Sequence, residues 1–293
     1  MISYQNRDIA YGTAWPRDRR HKMVEDNSMA VIRRLAATAT VLLLAGCAGG
    51  TSITTRTTVT ASSAVPPSAS PAPVDASCGA STAGAQTVRF GAAGATNLVG
   101  VVVGTGKTGV VLAHQSRGNR CQWGDYAHEL AEAGYRSLIF DFAGSGLSTG
   151  SDANDAAVVA AAGYLRTQGV NTVVLIGASM GGTAVLAAAP QIAPPVAAVA
   201  SLSGPARFDG VDAAEAVKKL TVPVLYAVCA GDSGFANDAQ TLSDATRAGT
   251  DKKLLVLPNC NRHGVQLANR TGGPEATAVR AAIHDFLSAH APA

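Results

Sequence analysis

Aromatic side chains are scarce in this sequence: Phe, Trp and Tyr together make up 5% of 293 residues. A greasy acyl-binding tunnel is therefore not indicated, and any small-molecule site is expected to be shallow. Excess charge of one sign is also missing. Of 23 Lys+Arg and 20 Asp+Glu, seven and four fall in Met1–Cys47, which leaves 16 of each beyond it. A formally neutral remainder lacks the basic footprint of a nucleic-acid binder, so no nucleic-acid partner is expected. The five cysteines lack the close paired spacing of a zinc site, and His114, His128 and His263 fall on separate elements, so no metal is expected. No apolar run is long enough to span a bilayer, and no internal repeat is visible.

A nucleotide site is excluded despite a literal match. Gly104-Thr105-Gly106-Lys107-Thr108-Gly109 fits G-x-G-x-x-G, and Gly106-Lys107-Thr108 imitates the end of a phosphate-binding loop. Phosphate binding needs a helix N-terminus after the glycines, whereas Val110-Val111-Leu112 continues as a buried strand. Val101 also stands where such a loop needs glycine. Two strands bracketing this turn predict a β-hairpin, and no cofactor is expected.

The N-terminal quarter concerns address. Arg33-Arg34 precedes the apolar run Leu35–Gly46, which has the length of a signal-peptide core. It closes on Leu44-Ala45-Gly46-Cys47, which resembles a bacterial lipobox. That resemblance implies cleavage before Cys47, acylation of Cys47, and an extracytoplasmic protein anchored to the cell envelope by lipid. Met1–Ser28 is polar and charged, and Met29 is the more natural initiator. Ala48–Ser77 is dominated by Ser, Thr, Pro, Ala and Gly and cannot bury a core. The expected organisation is a mis-assigned extension over 1–28, a signal peptide over 29–46, a flexible tether over 47–80 and one folded domain over 81–293. About 215 residues suit a single α/β domain.

Within that domain, apolar runs predict eight strands: Thr87–Phe90, Leu98–Val103, Val110–Ala113, Ser137–Phe142, Thr172–Ile176, Val196–Ser201, Val222–Cys229 and Lys253–Leu257. Helical spacing or Ala-rich propensity places helices at Trp123–Ala133, Asp152–Thr167, Gly181–Ala189, Val211–Leu220, Asp238–Ala248 and Pro274–Ala289. Alternation from Val110 onward predicts an α/β class with a mostly parallel, doubly wound sheet. Between Gly204 and Pro223 there is room for one short helix, so no large cap domain is expected.

The most informative segment is Gly177-Ala178-Ser179-Met180-Gly181, set between the apolar run ending at Ile176 and the small-residue stretch Gly182–Ala189. A strand entering a helix through so tight a turn strains its central residue and lifts Oγ to the carboxyl edge of a sheet. Such a serine needs a base, and the base needs an acid. Of six His, His21 lies in the leader, His128 in a helical stretch, and His284 and His290 on the terminal helix. His263 follows a buried-strand pattern and the turn Pro258–Asn261, which puts it at a strand's carboxyl end. The acids available between them are Asp209, Asp212, Glu215, Asp232, Asp238, Asp244 and Asp251. Asp232 is preferred, because the apolar run Pro223–Cys229 ends in Ala230-Gly231-Asp232. Asp238 opens a helical segment, where an acid commonly caps or meets the helix dipole.

With Ser, Asp and His in that order, the chain from about Val88 onward resembles the α/β-hydrolase family. Val110-Val111-Leu112-Ala113-His114 followed by Gln115-Ser116 and Trp123 looks like that family's strand and oxyanion loop, though the family usually has His-Gly where this chain has His114-Gln115. The resemblance implies one oxyanion N–H from Met180 and the other from Ser116 or Gln115. Phe140–Ser148 resembles the family's Asp-x-x-Gly-x-Gly-x-Ser loop, implying that Asp141 pins it. The implied fold is an α/β-hydrolase sheet of eight strands with helices on both faces. The implied activity is hydrolysis of a carboxylic ester or related acyl bond on a small-molecule substrate, without cofactor. The dienelactone-hydrolase branch is similar in compactness but usually has Cys at the nucleophile. A peptidase or amidase, or a binding lipoprotein that keeps the scaffold without turnover, are the alternatives. The oligomeric state is not legible.

Four cysteines remain beyond Cys47, an even set suited to an oxidising compartment, and they allow three pairings. Cys229 and Cys260 each lie three residues before Asp232 and His263. If their strands are parallel neighbours, Cys229 pairs with Cys260 and, by elimination, Cys78 with Cys121.

Overall fold

The computed structural model describes residues 78–79, 82, 85–91 and 96–293. The extension over 1–28, the signal peptide over 29–46, Cys47 and the tether as far as residue 77 lie outside the described residues.

The described chain is an eight-stranded sheet with helices on both faces. Its strands are β1 (Gln86–Phe90), β2 (Leu98–Val103), β3 (Thr108–Ala113), β4 (Arg136–Phe140), β5 (Thr172–Ala178), β6 (Ala198–Leu202), β9 (Val224–Cys229) and β10 (Lys252–Leu257). They lie in the order β1-β2-β4-β3-β5-β6-β9-β10. Only β2 runs against its neighbours β1 and β4, and every other pairing is parallel. A two-residue ribbon, β7 (Arg207–Phe208) with β8 (Val211–Asp212), stands apart from the sheet.

Parallel strands are covered on both faces, so they read as unbroken apolar runs, and side chains alternate between the two cores. On β3, Val111 and Ala113 join one core and Val110 and Leu112 the other. The first core receives α2 (Asn154–Thr167), α3 (Met180–Ala188) and Leu242 of α5 (Phe235–Ala245). The second receives α1 (Gly124–Glu132) and α6 (Gly273–His290). Every residue of α3 is buried, which explains its Gly- and Ala-rich composition: there is no room for larger side chains between the sheet and the neighbouring helices.

The predicted hairpin between the second and third strands does not form. β4 lies between them, pairing Gly100 with Phe140 on one side and Ala113 with Phe140 on the other. The four residues Gly104–Lys107 therefore cross two strand spacings of about 4.8 Å each, within the reach of extended chain. Arg136, which opens β4, donates to the Thr105 carbonyl at 2.9 Å and fastens this crossing. Turn chemistry alone cannot distinguish a hairpin from a loop that steps over one strand.

Two helix boundaries also differ. The stretch expected as helix over Val211–Leu220 begins as β8 and becomes α4 (Ala213–Ala216) followed by a 3₁₀ turn at Val217–Lys219. Asp212 is the reason: its carboxylate accepts the Glu215 N–H at 2.9 Å as an N-cap, and Arg207 Nε donates to it at 2.7 Å. α5 begins at Phe235 rather than Asp238, and ends where Thr246 Oγ1 donates to the Leu242 carbonyl.

The winding order fixes where a site can be. From β3 the chain crosses to β4 on one side and then to β5 on the other, so the sheet reverses its direction of growth between β3 and β5. Ligands of open α/β sheets bind outside the carboxyl ends of the strands at such a point. His114–Ser116 leave β3 there, and Ser179 leaves β5.

A buried ionic knot holds the neighbouring edge. Asp141, at the end of β4, is fully buried and pairs with the equally buried Arg120 guanidinium. Its carboxylate also accepts the Arg120 N–H at 2.7 Å and the Leu147 N–H at 2.9 Å. Ser148 Oγ donates to the Asp141 carbonyl at 2.7 Å and accepts the Val99 N–H at 2.8 Å. Removing one partner strands the other's charge, so Asp141→Asn is expected to cost about 3–5 kcal/mol. Urea unfolding checks this, with Asp285→Asn on the exposed face of α6 as the control that stays within about 0.5 kcal/mol of the parent.

Candidate active site

Ser179 sits at φ 49° and ψ −118°, the turn between β5 and α3. That conformation is costly for a side chain other than glycine, and the surroundings enforce it. The Ser179 N–H donates to the Leu202 carbonyl of β6 at 2.8 Å, and its carbonyl accepts the Thr183 N–H at 3.0 Å. A Cβ on Gly181 would stand 2.2 Å from the Ala113 carbonyl oxygen, and one on Gly177 would stand 2.1 Å from the Gly181 oxygen. These glycines let the start of α3 press against the end of β3. Met180, as the first residue of α3, has an N–H without an intrahelical acceptor.

Asp232 and His263 are brought together. His263 Nδ1 faces both carboxylate oxygens, at 2.9 Å from Oδ2 and 3.1 Å from Oδ1. Asp232 is buried and His263 half-buried. Asp238 lies on the first turn of α5 and makes no such contact. Among the described residues the Ser179 hydroxyl forms no hydrogen bond with His263. The two loops nevertheless meet, because a Cβ on Gly264 would stand 3.6 Å from that of Ala178.

The loops that carry Asp232 and His263 are joined beneath the pair. β9 and β10 are parallel neighbours with Cys229 opposite Leu257, and Cys229 is bonded to Cys260. The Gly231 N–H donates to the Cys260 carbonyl at 2.8 Å, and the Asp232 N–H to the Cys229 carbonyl at 3.0 Å. The second disulfide joins Cys78 to Cys121, within the turn Arg120–Trp123 that follows the loop leaving β3.

His114 is the hinge of that loop. It is wholly buried, its Nδ1 lies 2.8 Å from the Gln115 carbonyl, and its Nε2 accepts the Phe142 N–H at 3.1 Å. An imidazole that donates from Nδ1 and accepts at Nε2 is neutral. Burial lowers its pKa below 6.5, against the opposing pull of the Gln115 carbonyl and of Asp141. Gln115 and Ser116, the two candidate donors, follow it. The Gln115 N–H points to Gln122 Oε1 at 3.3 Å.

Several contacts here left no readable sign in the sequence. The Phe235 ring packs on the His263 imidazole with centroids 4.3 Å apart, and the His263 N–H donates to Gln266 Oε1 at 3.1 Å. The Val265 N–H donates to Gln115 Oε1 at 3.0 Å across 150 positions of sequence. Only Gln115 carried a signal, as the residue standing where glycine is usual. Among the described residues no three His, Cys, Asp or Glu side chains gather as a metal site would require.

A family model described as alpha/beta hydrolase fold matches residues 110–267. No curated protein matches this chain in sequence. Among solved structures, a dienelactone hydrolase from Anabaena variabilis is similar at 20% identity and TM-score 0.57, over 70% of this chain and 97% of its own. An esterase from Pyrococcus furiosus is similar at 15% identity and TM-score 0.59, over 70% and 92%. The esterase domain of a Rhodothermus marinus protein is similar at 22% identity and TM-score 0.56, over 70% and 99%.

The buried neutral His114 makes stability pH-dependent. Because its folded pKa lies below the unfolded value near 6.5, unfolding takes up a proton as the pH falls under 6.5. The stability present above that value is then lost, by at most about 1.4 kcal/mol per pH unit from this group. Denaturant midpoints measured from pH 8 to 5 are expected to fall in the parent below 6.5. In His114→Gln that component of the slope is expected to be absent, with a lower midpoint at pH 8.

Proposed function

The chain belongs to the alpha/beta hydrolase fold family, and from that premise we propose that it is a serine hydrolase of carboxylic esters or related acyl bonds, working through an acyl-enzyme. The observation that carries this reading is the His263 Nδ1–Asp232 pair, held at the same sheet edge as a serine in a strained strand-to-helix turn.

The chemistry follows from the atoms. With Nδ1–H donating to Asp232, Nε2 is the basic nitrogen, and it removes the proton from Ser179 Oγ as that oxygen attacks the acyl carbon. Asp232 keeps the tautomer and stabilises the imidazolium that forms. The tetrahedral oxyanion is met by the Met180 N–H at the start of α3, where the helix dipole also favours negative charge. Ser116 is the second donor, since the Gln115 N–H is directed to Gln122. The imidazolium then protonates the leaving group, and water repeats the cycle to release the acid. The similar solved structures are described as esterases and a dienelactone hydrolase, which supports the acyl-ester class. Ser179 in place of the usual cysteine separates this chain from the dienelactone branch.

The proposed location is the outer side of a bacterial cell membrane, with lipid on Cys47 as the anchor. The lipobox-like Leu44–Cys47 supports this, and so do two disulfides, which persist in oxidising compartments. Cys47→Ala, or globomycin treatment of producing cells, is expected to stop maturation or shift the protein out of the membrane fraction. Recovery of mature protein with an N-terminus well beyond Cys47 rejects the anchor.

Ser179→Ala is expected to abolish both p-nitrophenyl acetate turnover and fluorophosphonate labelling while leaving the unfolding transition intact. Asp232→Asn is expected to lose about 10⁴-fold in kcat through the wrong imidazole tautomer. Full labelling of Ser179→Ala refutes the nucleophile. A severe loss in Asp238→Asn with Asp232→Asn near normal reassigns the acid.

A further inference from the structure

We propose that Gln115 is a positioning residue that ties the oxyanion loop to the His263 loop, so that the two halves of the site keep one spacing through turnover; this rests on the serine-hydrolase reading. The tie is a single side chain. The Gln115 carboxamide oxygen accepts the Val265 N–H at 3.0 Å. That N–H belongs to the 3₁₀ turn Gly264–Ala268 immediately after His263, where the first amides have no acceptor within the turn. Gln115 caps the turn from a loop far away in sequence.

Both ends of the tie are fixed. On its own loop, Gln115 gives its N–H to Gln122 Oε1 at 3.3 Å and offers its carbonyl to His114 Nδ1 at 2.8 Å. Its side chain therefore leaves a backbone held on two sides, from a histidine that is itself wholly buried. On the receiving loop, Gly264 has φ +57°, and a Cβ there would stand 2.4 Å from Gln115 Oε1. Only glycine lets the carboxamide reach the Val265 N–H. One residue earlier, the His263 N–H is held by Gln266 Oε1 at 3.1 Å, so displacing Val265 displaces the segment that orients the imidazole. A glycine at position 115 has no side chain to make this connection. The tie thus needs a side chain with an acceptor oxygen at this position.

In acylation, the base must reach Ser179 and the leaving group while the oxyanion lies between the amides of Met180 and Ser116. A relative shift of about 1 Å between loops is enough to cost large factors in rate. The Gln115 N–H is directed to Gln122 and the Val265 N–H to Gln115, so neither is given to substrate in the proposed mechanism and the effect is expected on kcat.

The test compares Gln115→Met, which keeps the length but has no strong acceptor, with Gln115→Gly and Gln115→Glu, using p-nitrophenyl acetate at pH 8 and hydrogen exchange of the segment containing Val265. The Met and Gly variants are expected to lose about tenfold or more in kcat with KM within about twofold, and to lose exchange protection at Val265. Gln115→Glu, which retains an acceptor oxygen at the same reach, is expected to recover kcat to within about threefold and to keep the protection. Unchanged kcat in Gln115→Met, equal losses in Met and Glu, or a fall in Tm alone overturns the proposal. A parent protein that neither turns over ester nor labels with fluorophosphonate refutes the hydrolase reading instead. The exchange measurement then judges the tie by itself, and retained protection in Gln115→Met overturns it there too.

Discussion

No side chain can stand between the end of β3 and the start of α3. At Gly181 a Cβ would fall 2.2 Å from the Ala113 carbonyl oxygen and 2.7 Å from that of His114, so the two backbones touch directly. The rest of the site depends on this approach. It sets the depth at which α3 lies on the sheet, it bends Ser179 into a positive φ, and it brings the first amide of the helix beside the loop that leaves β3. The geometry on this side is made by the absence of atoms. The strain is sustained because α3 is buried along its whole length and has no alternative seat.

The opposite side of the site is made by added connections. Asp232 and His263 come from loops that follow adjacent parallel strands, and those loops are joined by a disulfide, a backbone hydrogen bond from Gly231 to Cys260, and the carboxylate–imidazole pair itself. One polar side chain then links the two sides, Gln115 reaching Val265, while within the second loop Gln266 holds the His263 amide. Among the described residues the stretch between β6 and β9 holds only the β7–β8 ribbon, α4 and a 3₁₀ turn. The Asp232 and His263 loops are fixed from below by the disulfide and from the side by Gln115.

The sheet was readable because parallel strands buried on both faces leave uninterrupted apolar runs, and all eight appear within a few residues of their expected bounds. Pairing order was less readable. The glycines after Val103 suit a tight hairpin and a crossing loop equally, and only the insertion of β4, with Arg136 bound to Thr105, distinguishes them. The Ser179 elbow, Asp232 and His263 were singled out because each follows a strand, a position that sequence periodicity reveals. Phe235 on the imidazole and Arg120 beneath Asp141 were not, because a contact across the fold leaves no periodic trace. The disulfides lie between these cases: their pairing followed from one inference about strand adjacency, and Cys229 opposite Leu257 is that adjacency.

The Cys229–Cys260 bond closes a covalent ring of sequence separation 31 that contains Asp232, all of α5 and all of β10. Its outermost stretch, Arg247–Gly249, is exposed and offers a peptidase a cut after Arg247. Such a clip opens the polypeptide without dividing it, because the fragments on either side stay bonded through sulfur and paired along β9 and β10. The same bond that braces the Asp232 and His263 loops thus also lets a nicked molecule persist as one particle, with both side chains still attached to the same piece of sheet.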